Sequence, residues 1–461
     1  IYNFYRKINK NLNSDCEFYR YFNEKYTYKD LKNLYLKFLN ITSYIKNPNK
    51  KICILSEKCF ELYAISVATV ISNNTWVPIS STSPEERIYE IIELLKPDLF
   101  IIDQINTLKK SKIKNFLKKS KIKFLTFEEI KEATPLPKIP KIIIKKNDIS
   151  MIFFTSGSSG KPKGVKINHG GFVHSLLQQV NRIYKKEKKL VFGDYHDISF
   201  VISLNILFPC IYLKSSISPG IALKDIIFPV EHISFNKVNT LVTVPSSINR
   251  IRNYYKKINN RFKINLLVLC GEPFYYDLLK YIIAKKISKR IFNCYGSTEL
   301  SPWVFSHEVS NKNKKDYMKF SVMPIGKKFT GINIKTINNE LYVGGPTLCA
   351  GYVEDKQNKN AFIYFGSKKF YKTNDIVEFS NNLYFIKGRS DSIVKILGYR
   401  VELFEIDKAL RKLITVSNCF VFVKEISKYE KHLCSAVESH KISVQKIENH
   451  LKKRLPNYMI P

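Results

Sequence analysis

The 461-residue sequence predicts an α/β fold: a large N-terminal core of mixed and parallel sheets with helices, followed by a small α+β C-terminal lid that looks truncated. Three observations carry this. Short apolar runs alternate with longer helical patterns between residues 51 and 103. A further apolar run at 150–154 leads straight into a loop of small residues. From residue 389 a separate rhythm of strands and helices begins and continues to the end.

Taken in order, residues 52–55, 76–79 and 98–102 read as strands, and 60–72 and 84–95 as helices. This alternation implies a parallel sheet flanked by helices. Residues 109–146 are Lys-rich with Pro135, Pro137 and Pro140, and read as a helix, a short strand and a linker. The strand at 150–154 precedes the loop of residues 155–164. The expected division is a core over 1–388 and a strand, helix, strand, helix lid over 389–461, with no internal repeat.

Composition narrows the function classes. With 44% hydrophobic and 25% charged residues, disorder is excluded on compositional grounds. The 76 Lys and Arg against 39 Asp and Glu give a formal charge of +37, which would suit nucleic acid, an anionic membrane or an acidic partner. The basic residues form no single block, and Lys, Ile, Asn, Tyr and Phe are enriched together throughout. Compositional drift is therefore the expected cause, with weak steering toward an acidic partner and no nucleic acid. Nine scattered cysteines without a C-x-x-C pair indicate neither a zinc site nor a disulfide framework, as in a reducing cytoplasm. The longest apolar stretch, near residues 62–71, is too short to span a bilayer, and no secretory leader opens the sequence. It starts at Ile1 rather than Met, so an incomplete start or an unusual initiation codon is expected.

The loop at 155–164 combines three glycines (Gly157, Gly160, Gly164), four hydroxyls (Thr155, Ser156, Ser158, Ser159) and two lysines (Lys161, Lys163). Glycines let backbone N–H groups turn inward on an anion, hydroxyls add donors and lysine adds charge, so the loop can hold polyphosphate. The alternative is a plain surface turn. The spacing does not satisfy the Walker pattern.

The run FFTSGSSGKPKGV at 153–165 resembles the signature loop of the adenylate-forming superfamily, which contains acyl-CoA synthetases, luciferases and amino-acid adenylation domains of nonribosomal peptide synthesis. Other segments resemble that family's motifs in the same order: YTYKDL (26–31), WVPISSTSPEERI (76–88), YHDIS (195–199), NCYGSTE (293–299), ELYVGGPTLCAGY (340–352), YKTND (371–375), GRSDSIVKILGYRVELFEID (388–407) and LPNYMIP (455–461). The wording LCGEPF (269–274), VPSSI (244–248) and NCYGSTE is similar to the stand-alone D-alanine carrier-protein ligases in particular.

The resemblance implies ATP and Mg²⁺ as cofactors and a two-step reaction. A carboxylate ionised at pH 7 needs no general base to attack the α-phosphate; it needs charge cancellation between two anions. By resemblance, Thr155, Ser156, Gly157, Ser158, Ser159 and Gly160 hold the phosphates with Lys163, Glu299 holds Mg²⁺ and Thr298 bonds the α-phosphate. Tyr295 would stack on adenine within the segment from Asn293 through Cys294, Tyr295 and Gly296 to Ser297, and Gly271 and Glu272 would approach the adenine edge. Asp375 and Arg389 would hold the ribose, and Asp391 would be the hinge on which the lid rotates. Asp197 in YHDIS would pair with a substrate ammonium; a helix-capping Asp is the alternative. The side-chain pocket maps onto Ile198, Val201, Thr243, Val268, Cys270, Cys294, Pro302 and Trp303, uncharged and mostly small, with Trp303 taking up volume. Glycine, alanine of either hand or serine are the substrates expected, and a phosphopantetheine thiol of a carrier protein, or coenzyme A, the acceptor.

Three departures stand out. Asn374 replaces the family's glycine in Y-[RK]-T-G-D, Ser159 replaces a threonine, and the given sequence ends at Pro461, before the family's C-terminal lysine. The last leaves two expectations: a fragment, or an impaired remnant that adenylates poorly. An acyl- or aryl-CoA synthetase is the rival enzyme, and Asp197 separates it from an amino-acid ligase.

Overall fold

Strands buried on both faces need continuous apolar runs, and KICIL, TWVPI and LFII supply them. In the computed structural model they are strands Lys51–Leu55, Thr75–Ile79 and Leu99–Ile102, paired in parallel. The structure describes residues 1–42, 48–103, 105–155, 162–255, 262–310, 314–390, 393–413, 416–427, 429–439 and 442–461. These three strands sit in a seven-stranded sheet with Ile149–Thr155 and its antiparallel partner Lys163–Asn168.

A nine-stranded sheet follows, parallel through Val191–Asp194, Thr240–Thr243, Ile264–Cys270 and Ser288–Gly296, with antiparallel Trp303–Glu308 beside the last. Helix Phe60–Ile71 is apolar around its whole circumference, and every residue but Glu61 is buried. It shares one core with residues of both sheets, among them Ile54, Trp76, Met151, Phe192, Val242 and Val268. A third, five-stranded antiparallel sheet contains Lys368–Ser380 and Leu383–Arg389.

The C-terminal part has a core of its own, built on Val401, Ile406, Leu410, Val421, Leu451 and Met459. Here the structure corrects the expected order. Each expected strand is a hairpin: Ile393–Ile396 pairs with Tyr399–Glu402, and Val416–Ser427 with Glu430–Ser439, with helices Leu403–Arg411 and Val444–Lys452 after them. The linker reading of 109–146 also misses helix Phe127–Glu132, which begins at a reciprocal cap between Thr126 and Glu129.

Candidate active site

Ligands of open parallel sheets bind beyond the carboxyl ends of the strands, and two strand ends here are shaped for it. Ile264–Cys270 runs into Gly271 at φ +82°, a left-handed turn that glycine takes without steric cost, followed by Glu272. Ser288–Gly296 ends where a Cβ on Gly296 would lie 1.8 Å from the Pro302 carbonyl oxygen, so only glycine fits before the turn Thr298–Leu300.

A cavity of about 950 Å³ opens at these ends. It brings together Gly271, Glu272, Asn293, Cys294, Tyr295 and Gly296, and adds Asp375 and Arg389 from the third sheet. Asp375 accepts from the Tyr295 hydroxyl at 2.5 Å and from Arg389 Nη1 at 2.6 Å, so both carboxylate oxygens are oriented. Arg389 is the cross-strand partner of Asp375. Asn374 takes φ +59°, which Asn accepts more readily than most residues, and this explains how it stands in for glycine. Asn293 donates to the Pro324 carbonyl at 2.9 Å, and Glu272 accepts from the Ser246 N–H at 2.9 Å and its hydroxyl at 3.0 Å. Burial raises the Glu272 carboxyl above its ordinary range.

Beside the cavity lies a charged cluster. Burial pushes the Glu299 carboxyl up, but Arg400, a backbone N–H and the Tyr352 hydroxyl outweigh this and hold it below the usual carboxylate range. Arg400 Nη1 donates to both Glu299 oxygens at 3.0 and 3.2 Å, and Tyr352 donates at 2.9 Å. Thr298 is buried next to it. Lys163, at the start of its strand and paired with Thr155, has its ammonium lowered by burial and by Arg400, with Glu299 opposing.

Sequence reading missed Arg400 and Lys395, cross-strand partners on the first lid hairpin. Lys395 lines the cavity, and burial lowers its ammonium against the pull of Asp375. Two cations interrupting the apolar IVKILGYR were the available signal. Ser156, Gly157, Ser158, Ser159, Gly160 and Asp391 lie outside the described residues.

The amino-acid side differs from expectation. Cys294 lines the cavity, but Asp197, Ile198, Val201, Thr243, Val268, Cys270, Pro302 and Trp303 do not. The lid hairpin stands in between: a Cβ on Gly398 would meet Val244 Cγ1 at 2.6 Å, and the Tyr399 ring lies 5.2 Å from that of Phe200. Behind it, Asp197 accepts from the Ser80 hydroxyl at 2.6 Å and from the Ser199 N–H and hydroxyl at 2.9 and 2.6 Å. His196 contacts the Thr243 hydroxyl at 3.2 Å, and burial brings its imidazole down to about 4. Burial pushes the Cys270 thiol up to about 12 and raises that of Cys294, so both are neutral and not nucleophiles. All nine cysteines are free, and the described residues contain no His, Cys, Asp and Glu cluster able to hold a metal.

Strand-end glycines thus surround a cavity of nucleotide size against which a small domain is docked, the arrangement expected of an adenylate-forming ligase. Residues 8–353 match the family described as AMP-binding enzyme, and the chain belongs to that family. It is similar to the D-alanine--D-alanyl carrier protein ligase of Staphylococcus aureus, at 29% identity over 403 residues, covering 84% of this chain and 79% of the relative. The fold is that of the Vibrio cholerae adenylation domain AlmE, solved with glycyl-adenosine-5'-phosphate (TM-score 0.84, 19% identity, 99% of this chain and 93% of that one). It is shared by the fused adenylation-PCP di-domain NpsA-ThdA from Klebsiella oxytoca (TM-score 0.82, 21% identity, 100% and 92% covered). The o-succinylbenzoate CoA synthetase of Bacillus subtilis also matches (TM-score 0.81, 17% identity, 99% and 93% covered).

Proposed function

We propose that this ligase joins a small amino acid to AMP and passes the aminoacyl group to the phosphopantetheine thiol of a carrier protein, with 1–388 as core and 389–461 as lid. The observation that carries the reading is Asp197, a carboxylate oriented by three hydrogen bonds, whose chain neighbour His196 meets the Thr243 hydroxyl at 3.2 Å. An α-ammonium taken out of water needs such a counter-charge, because leaving it unpaired costs several kcal/mol, roughly 3–5. A fatty or aryl acid gains nothing from it. Buried Trp303 limits the side chain to one of the size of glycine, alanine or serine.

In this reading Asp375 and Arg389 receive the ribose, Tyr295 packs against the base, and Thr155, Thr298 and Lys163 face the phosphates with residues 156–160. Magnesium fits Glu299: its carboxylate offers hard oxygens and is held ionised. Glu299 and the neighbouring Thr298 hydroxyl would hold the ion, which supplies charge cancellation between the two anions. Arg400 sits on the same oxygens, so the docked lid and a bound cation exclude each other at Glu299. Lys395 lines the cavity with the lid docked as here, which suits the second half-reaction, where a cation near the departing phosphate stabilises its charge. Arg250, Lys431 and His432 at the cavity wall suit the phosphodiester of a carrier's arm.

Amino-acid-dependent exchange of pyrophosphate into ATP tests the reading. One small amino acid should support exchange, and Asp197→Ala should lower it on the order of a hundredfold, as losing one preorganised charge partner does. Exchange driven by fatty or aryl acids and indifferent to Asp197 would replace it with a CoA-ligase reading.

A further inference from the structure

A second cavity, of about 830 Å³, shares no lining residue with the nucleotide cavity. It is an open groove between helix Tyr2–Asn11, helix Tyr28–Thr42 and the irregular segment 137–141. Arg6, Lys7, Lys10, Lys32, Lys138 and Lys141 line it, together with asparagines, prolines and Ile139, and no acidic residue does. None of the six cations is in an ion pair among the described residues; Lys32 donates to Asn13 Oδ1 at 2.7 Å, and Lys7 lies 4.0 Å over the Tyr212 ring. Keeping Arg6 and Lys10 four residues apart on one helix face, without a counter-ion, is unfavourable in the isolated chain. Two large exposed apolar side chains adjoin the lining segments in sequence: Tyr2 at 74% exposure, next to lining residue Asn3, and Ile143 at 72%, two residues beyond Lys141.

Cations gathered without acids, flanked by protruding apolar side chains, are what an anionic bilayer surface recognises: the cations meet lipid phosphates while the apolar groups enter the interface. A nucleic acid or an acidic peptide would use the charge but not an isolated Ile143. We propose that this groove docks the protein on an anionic lipid surface. The contact leaves the adenylating site free, because no lining residue is shared.

Co-sedimentation with vesicles of phosphatidylglycerol and phosphatidylcholine tests it. The whole chain should partition onto them and not onto pure phosphatidylcholine, and the binding should fall steeply as salt is raised from about 0.1 to about 0.5 M. The triple variant Arg6→Glu, Lys10→Glu, Lys138→Glu should lose on the order of a hundredfold in partition, with pyrophosphate exchange unchanged. Lys185→Glu, Lys186→Glu, Lys189→Glu, exposed lysines of another turn, change the net charge equally and should leave partition within roughly threefold. Tyr2→Ser with Ile143→Ser should weaken binding at unchanged charge. Equal loss in the two triple variants would mean diffuse charge and overturn the proposal, as would binding to heparin or an oligonucleotide without binding to vesicles.

Discussion

Asp375 is held from two sides, by the Tyr295 hydroxyl and the Arg389 guanidinium, which fixes its oxygens before any ligand arrives. Asp375→Ala is expected to weaken adenosine-nucleotide binding by roughly 10²-fold while leaving the fold intact, measured by titration calorimetry. Lys395 offers a sharper test, because burial lowers its ammonium. It sheds its proton at lower pH than a free lysine, so the transfer step should slow as pH rises through that lowered value, with the first half-reaction unaffected. Lys395→Arg, protonated throughout, should flatten that limb, and single-turnover loading of a carrier across pH checks it. The Glu299 carboxyl is depressed by Arg400, so its contribution to stability is present above the unfolded value of about 4.3 and is lost as pH falls through the folded one.

The elements that were legible were those in which local pattern and burial agree. Lys51–Leu55, Thr75–Ile79 and Leu99–Ile102 are continuous apolar runs because both faces of a central parallel strand are covered. The lid hairpins were not legible, since Ile393–Ile396 and Tyr399–Glu402 are joined by only Leu397 and Gly398 and read as one strand. That turn docks the lid: Gly398 has φ +83°, and its Cα faces Val244 with no room for a methyl. Gly398→Ala should therefore impair transfer far more than adenylation, seen as a change in carrier loading at constant exchange rate. The lid is also tied by Arg87, whose Nη1 lies 2.7 Å from Glu405 Oε1 with both side chains buried. Arg87→Ala leaves Glu405 buried without that partner and should cost about 3–5 kcal/mol in denaturant unfolding.

Across the whole molecule, three buried imidazoles contribute to the response to acid. Burial brings His169 down to about 3, and His196 and His307 to about 4, from the usual 6.5. The unfolded chain binds more protons than the folded one between those values, so the stability they confer is present above about pH 6.5 and is lost as pH falls toward 4. Equilibrium unfolding at a series of pH values should show this slope, and replacing His307 with Gln should flatten it. The motif order singled out glycine turns and paired polar residues such as Asp375 and Arg389, which are local signals and which the structure brings to one cavity. What was not readable is how the lid sits: the contacts of Lys395, Arg400 and Tyr399 join segments some 100 to 200 residues apart, as Arg400 and Glu299 (|i−j| = 101) show. No helix among the described residues is long and apolar enough to cross a membrane. The central claim, amino-acid activation at this site, is tested most directly by thermal stabilisation with non-hydrolysable acyl-sulfamoyl adenosines. An analogue of one small amino acid at about a hundred times its Kd should add roughly 2.7 kcal/mol, and Asp197→Ala should abolish the gain; stabilisation by fatty or aryl analogues alone, or by none, would contradict it.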